Sequence, residues 1–164
     1  MPTANLAPVQ KTDELPGVQT IPSPSNAQIE RLEAELLKVE QVECPLNHRF
    51  APGVYMREIF MPKGTFIIGH EHKTEHLNVV LCGRASVLID GVAQEIVAPC
   101  TFKSGIGVRK LLFIHEDMIW ATIHPTHETN VEQLEAALII KSDTYLSHQA
   151  QLQFEQLRLK QEES

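Results

Sequence analysis

Cysteine is scarce and poorly placed for structural chemistry: three in 164 residues, Cys44, Cys82 and Cys100, an odd number with no Cys-x-x-Cys pair. A disulfide framework and a zinc ribbon both need paired or regularly spaced thiols, so both are excluded and the thiols read as reduced. Basic charge is also short, with 14 Lys and Arg against 21 Asp and Glu and a net charge of -7. A nucleic-acid surface needs clustered cations to neutralise phosphates, so no nucleic-acid partner is expected, and the balance suits solubility and a protein partner. No stretch approaches the roughly 18 apolar residues that span a bilayer, and the start at Met1 has neither a basic n-region nor a long apolar run. No membrane partner is expected. Internal repeats are lacking too, as are low-complexity tracts beyond the Pro-rich residues 1–24.

What is present divides the chain into four stretches. Residues 1–24 hold half of the ten prolines, few large apolar groups and no helical or strand period, the pattern of an extended arm that needs a partner surface to become ordered. Residues 25–41 open with Ser25 and Gln28 in a capping-box spacing, and Ile29, Leu32, Leu36 and Val39 then recur at three- and four-residue steps, predicting a one-sided helix. Residues 42–127 carry strand-like runs at 54–61, 65–70, 76–82, 84–89, 93–97, 99–103, 109–115 and 118–124, with a hairpin turn expected at Asp90 and Gly91. Many short strands between turn residues indicate a barrel or sandwich. Residues 128–164 hold two further helices, one opened by Thr129 and Asn130, the other a Gln- and Glu-rich segment with a thin stripe of Leu146, Ala150, Phe154 and Leu157.

Between residues 64 and 83 stand three histidines and two carboxylates within seven positions: His70, Glu71, His72, Glu75 and His76. Histidine is the commonest side-chain ligand for transition metals, and three converging imidazoles suit Zn, Fe, Ni or Cu better than Mg or Ca. On a strand His70 and His72 share a face, and a bend at residues 73–75 would swing His76 beside them.

This stretch resembles the first signature motif of the cupin family, which is Gly, five residues, His-x-His, three or four residues, Glu, six residues, Gly. Gly64, His70, His72 and Gly83 reproduce the spacing, while His76 occupies the slot of the family's Glu and Glu75 sits one residue early. The resemblance implies a mainly β chain: a single cupin-type antiparallel β-barrel, or jelly roll, with flanking N- and C-terminal helices. It also implies a three-histidine or two-histidine-plus-carboxylate centre for a divalent transition metal (Fe, Zn, Mn or Ni). Residues 42–60, 72–78 and 120–126 resemble small cupin-domain proteins encoded by bacteriophages and prophages, a likeness covering roughly residues 42–140.

The cupin pattern adds a further histidine from a second motif, but residues 99–110 contain none. If 109–115 and 118–124 pair as a hairpin around Glu116 and Asp117, His124 lies opposite Arg109, beside the vacant ligand position. The expected metal ligands are therefore His70, His72, His76 and His124. Arg109 is the candidate anion- or substrate-binding residue, and Glu75 the acceptor that orients an imidazole N–H. The same register puts Trp120 on one face with Phe113, as core. His48, His115, His127 and His148 are expected at the surface or in caps. Both faces of the late hairpin are apolar, so a homo-oligomer is expected.

Two functions compete, the first favoured by the sequence, with a sugar- or ligand-sensing module as a weaker third. One is a bacteriophage virion-associated structural protein whose barrel carries docking segments for other virion proteins, located in the virion, or in the host cytoplasm before assembly. The other is a small metal-dependent enzyme, a dioxygenase, isomerase or lyase, acting on an anionic small molecule. No catalytic acid-base pair stands out, so no catalytic residue is named.

Overall fold

The computed structural model describes residues 26–89 and 92–162. The arm at 1–24, Ser25 of the capping box and the Asp90, Gly91 turn lie outside the described residues. The chain runs α1 (Asn26–Leu36), β1 (Leu46–Ala51), β2 (Val54–Met61), β3 (Phe66–Ile68), β4 (Glu71–His72), β5 (His76–Ile89), β6 (Val92–Val97), β7 (Cys100–Ser104), β8 (Lys110–Pro125), α2 (Val131–Leu138), β9 (Ile139–Ile140) and α3 (Asp143–Glu162). It is mainly β, wholly antiparallel, with helices at either side of the strands.

Two long strands organise the rest. β5 and β8 pair along most of their length; β8 also takes β2 on its later half and β3 on its earlier half, while β5 takes β7 early and β6 late. The result is two half-sheets, β1-β2-β8-β5-β7 and β3-β8-β5-β6, sharing their central pair. Their inner faces enclose a core built on Met61, Val80, Ala85, Val87, Ile114, Met118 and Trp120.

The fold changes direction at Gly83. The β5–β8 register shifts between Val80 and Ala85, and the buried positions of β5 change from even (His76, Asn78, Val80) to odd (Ala85, Val87). A bulge does this by adding an unpaired residue, which reverses the side-chain parity and sharpens the bend. Gly83 has φ 93°, and a Cβ there would stand 2.5 Å from the Asp117 carbonyl oxygen. Only glycine fits.

Several sequence expectations are corrected here. Segments 76–82 and 84–89 are one strand, β5. Segments 109–115 and 118–124 are also one strand, β8, so the hairpin at Glu116 and Asp117 does not exist. Lys110, Leu112, Ile114, Met118, Trp120, Thr122 and His124 are all buried; Glu116 is exposed, but the same even phase holds on both sides of residues 116 and 117. A two-residue turn would instead have set odd residues of the first segment beside even ones of the second. Trp120 is core as expected, but Phe113 lies on the other face, against Phe66. β1 occupies a stretch expected to be a connection, and the two-residue pairing of β4 with β9 has no strand-length run in the sequence to announce it.

The helices follow their caps. Asn130, rather than Thr129, accepts the Gln133 amide proton to start α2, and Leu134 is its buried anchor. α3 buries no residue, leaving Leu146, Phe154 and Leu157 exposed. All three cysteines are free thiols. Among the described residues no helix is long and apolar enough to cross a membrane.

Candidate metal centre

Pairing across the half-sheet sets the inner face in rows. Tyr55 of β2 lies opposite His124 of β8, and His76 of β5 opposite Ser104 of β7; since Leu77 pairs with Ile123, His76 and His124 are neighbours. The next row holds Arg57, Thr122, Asn78 and Phe102, and the one beyond it Ile59, Trp120, Val80 and Cys100. The polar rows thus lie at one end of the enclosed space and the apolar core at the other. Asn78 ties them together: its Nδ2 donates to Ser104 Oγ at 2.9 Å, and its Oδ1 accepts from Trp120 Nε1 at 2.9 Å.

His72 reaches the first row from β4. Its strand partner is Ile139 of β9, its carbonyl accepts from the Gly107 amide at 2.9 Å, and the Lys73 amide donates to the Leu138 carbonyl. The segment after residue 128 therefore holds the backbone that carries this histidine.

His72, His76 and His124 come together, each offering one nitrogen, with these atoms all within 4.8 Å of one another. Ring centroids are 4.0 Å apart for His72 and His76, 5.4 Å for His72 and His124, and 5.1 Å for His76 and His124. Nitrogens sharing an ion at about 2.1 Å stand roughly 3.4 Å apart in tetrahedral geometry, so small ring rotations would close the set. His72 Nδ1, His76 Nε2 and His124 Nδ1 are buried without a hydrogen-bond partner. The His76 tautomer is fixed by chemistry: its Nδ1 lies 3.1 Å from the Thr74 carbonyl, which can only accept, so Nδ1 carries the proton and Nε2 keeps a lone pair.

The environment keeps the rings neutral. Burial, then the neighbouring His76 and His124, push His72 down to about 3; burial, then His76 and Arg57, push His124 down to about 4. His76 is also lowered by burial, against the opposing pull of its bond to Thr74. Neutral imidazole is the ligating form, and three such rings packed together without donors fit a divalent transition metal.

The other expected residues sit elsewhere. His70 is outside the trio: β3 ends at Ile68 and β4 begins at Glu71, so it lies in a break rather than on a strand shared with His72, and its ring meets Tyr145 edge-on at 4.9 Å. Arg109 precedes β8, at the far end of that strand from His124. There it pairs with Glu33 of α1 at 2.8 Å and donates to the Gly69 carbonyl, so it binds neither an anion at the trio nor Glu75. Glu75 points outward and pairs with Lys103 at 2.9 Å, not with an imidazole. His48 bonds the Tyr55 hydroxyl through Nδ1 at 2.7 Å, and His115 contacts Ser86 Oγ.

Sequence reasoning missed Arg57 and Thr122, which border a cavity of about 100 Å³ together with His70, His72, Lys110 and Trp120. The available signal was parity: Arg57 falls in the inward row Tyr55, Ile59, Met61 of β2, where a cation stands out. On the other side of the trio, His76 and His124 meet an open cleft of about 310 Å³ flanked by Glu75, Leu77, Lys103 and Pro125.

Among solved structures, the chain is similar to an RmlC-like cupin from Shewanella frigidimarina (21% identity, TM-score 0.43, 54% of this chain and 84% of that one). It is also similar to an RmlC-like cupin family protein with a double-stranded β-helix fold from Methanocaldococcus jannaschii (12%, 0.44, 59% and 97%). A third is a Cupin 2 conserved barrel domain protein from Salinispora arenicola (13%, 0.43, 51% and 76%). These neighbours are cupins. No protein-family model and no curated protein matches the sequence.

Proposed function

We propose that the chain is a cupin-type metalloprotein in which His72, His76 and His124 hold one divalent transition metal, and that it acts on a small molecule admitted to the adjoining cavity. The observation that carries this is the convergence of one ring nitrogen from each histidine to within 4.8 Å, in rings that each bury an unpartnered nitrogen, with the lone pair of His76 fixed by Thr74. Buried polar atoms left unpaired cost about 1–3 kcal/mol each, a cost an ion would remove. When bound, such an ion supplies Lewis-acid polarisation or activation of water. The chain's own residues position and shield it: β9 and Gly107 clamp the His72 backbone, Thr74 orients His76, and Tyr55 stacks on His124 with ring centroids 6.1 Å apart. Fe, Zn, Mn and Ni all remain compatible with three imidazoles.

The test is the metal content of the purified protein with equilibrium dialysis. Wild type should hold one metal per chain, and His72→Ala should bind it at least roughly 100-fold more weakly. Equal retention by the variant defeats the proposal.

A second reading, a bacteriophage virion-associated structural body that self-associates and docks other virion proteins, has α3 in its favour. That helix buries no side chain and exposes Leu146, Phe154 and Leu157. Purified virions containing the protein, and loss of incorporation when residues 1–24 are trimmed, would favour it over the metal-centred reading.

A further inference from the structure

The cavity beside the histidines is chemically mixed. Apolar Ile59, Leu112 and Trp120 line it together with Arg57, Lys110 and Thr122, in the same space as His72. Arg57 and Thr122 are paired positions of β2 and β8, so their side chains leave the sheet side by side. Thr122 is only 9% exposed, and its Oγ1 is buried with no hydrogen-bond partner; the Nε of Arg57 is buried and unpartnered as well. A guanidinium Nε–H and a hydroxyl facing one small volume are two donors lacking an acceptor.

The structural alternative for Arg57 is an ion pair with Glu135, which lies near enough to favour its charge. Glu135, however, makes its ion pair with Lys141 at 3.1 Å. Arg57 borders both the space behind Tyr55 and His124, where Glu135 stands, and the cavity that Thr122 faces; Glu135 borders only the former.

We infer that this cavity is a carboxylate-binding subsite, in which Arg57 and Thr122 hold the carboxylate of a short-chain acid whose apolar stub lies against Leu112 and Trp120. A carboxylate matches the planar guanidinium and accepts from the hydroxyl, and neither group can be satisfied by an apolar ligand. At about 100 Å³ the cavity is small, which suits a short-chain acid. The inference deepens the metal reading, on which it rests only for placing the ligand beside His72; the donors of the subsite are separate from the ligating rings.

The experiment titrates butyrate, and its neutral analogue butyramide, into zinc-loaded and EDTA-treated full-length protein by calorimetry, with zinc content and thermal melts recorded for every variant. Zinc-loaded wild type should bind butyrate at least roughly tenfold tighter than butyramide, the size of one charge-assisted contact. Arg57→Gln should erase that preference, and Thr122→Val should reduce it several-fold, both with zinc content unchanged. Equal binding of acid and amide by wild type overturns the subsite, as does an undiminished preference in a folded Arg57→Gln protein. If Arg57→Gln does not fold, the near-isosteric Thr122→Val decides alone, and an unchanged preference there overturns it. Acid preference in protein that takes up no zinc upholds the subsite and removes the metal reading; zinc uptake without acid preference does the reverse.

Discussion

His72 and His124 carry protons more readily in the unfolded chain than in the fold, because burial lowers them to about 3 and about 4 from an ordinary value near 6.5. A depressed histidine contributes its full stability above the unfolded value and loses it as the pH falls, since the unfolded state then takes up protons that the native state refuses. Metal-free protein should therefore weaken from pH 6.5 towards pH 5, by up to about 1.4 kcal/mol per pH unit for each of the two rings. Urea unfolding midpoints across this window, where most carboxylates stay ionised, provide the measurement. A flat profile would mean that the rings are more solvated than described. At this scale the sequence was informative about residue type and less so about address. His72 and His76 declared themselves by density, whereas Arg109 and Glu75 were assigned by proximity to a site that the chain places elsewhere. His124 entered through a strand pairing that does not exist; it meets His76 by pairing with β5 instead.

Elements were legible wherever hydrophobic period decides, and illegible where parity decides. The helices and most strand cores follow their apolar spacing, but the polar pair Glu116 and Asp117 looks like a turn until the same even inward phase is found on both sides of it. Gly83 is where parity does change, and its conformation leaves little tolerance. Gly83→Ala should cost about 3 kcal/mol or more, combining a strained positive φ with a backbone clash at Asp117. A melting temperature within a degree or two of wild type would contradict the close approach. α1 is held to the strands by chemistry that hydropathy does not reveal. Glu33 accepts from Arg109 at 2.8 Å and from Ser142 at 2.8 Å, and the ion pair is 7% and 9% exposed. Glu33→Ala should lose about 3–5 kcal/mol, because it strands a buried guanidinium. Chemical denaturation of the variant reads this directly.

For the molecule as a whole, the β architecture could be anticipated from residues 54–124, but the mutual support of its ends could not. Two-residue strands such as β4 and β9 leave no periodic trace, yet they fasten the segment after 128 to His72. The outer half of α3 is a different case. Every residue from 151 to 162 is exposed, so truncation after residue 150 should shift the melting temperature by less than about 2 °C. If self-association is a property of the chain, sedimentation of this truncated form tests whether α3 mediates it. A large loss of thermal stability would show instead that the helix props the fold. The bulge at Gly83 has a consequence at this scale. Because the two ends of β5 count their inward residues independently, the histidine end and the packing end of one continuous segment are free to vary in chemistry separately, as if a gearbox sat between cargo and chassis.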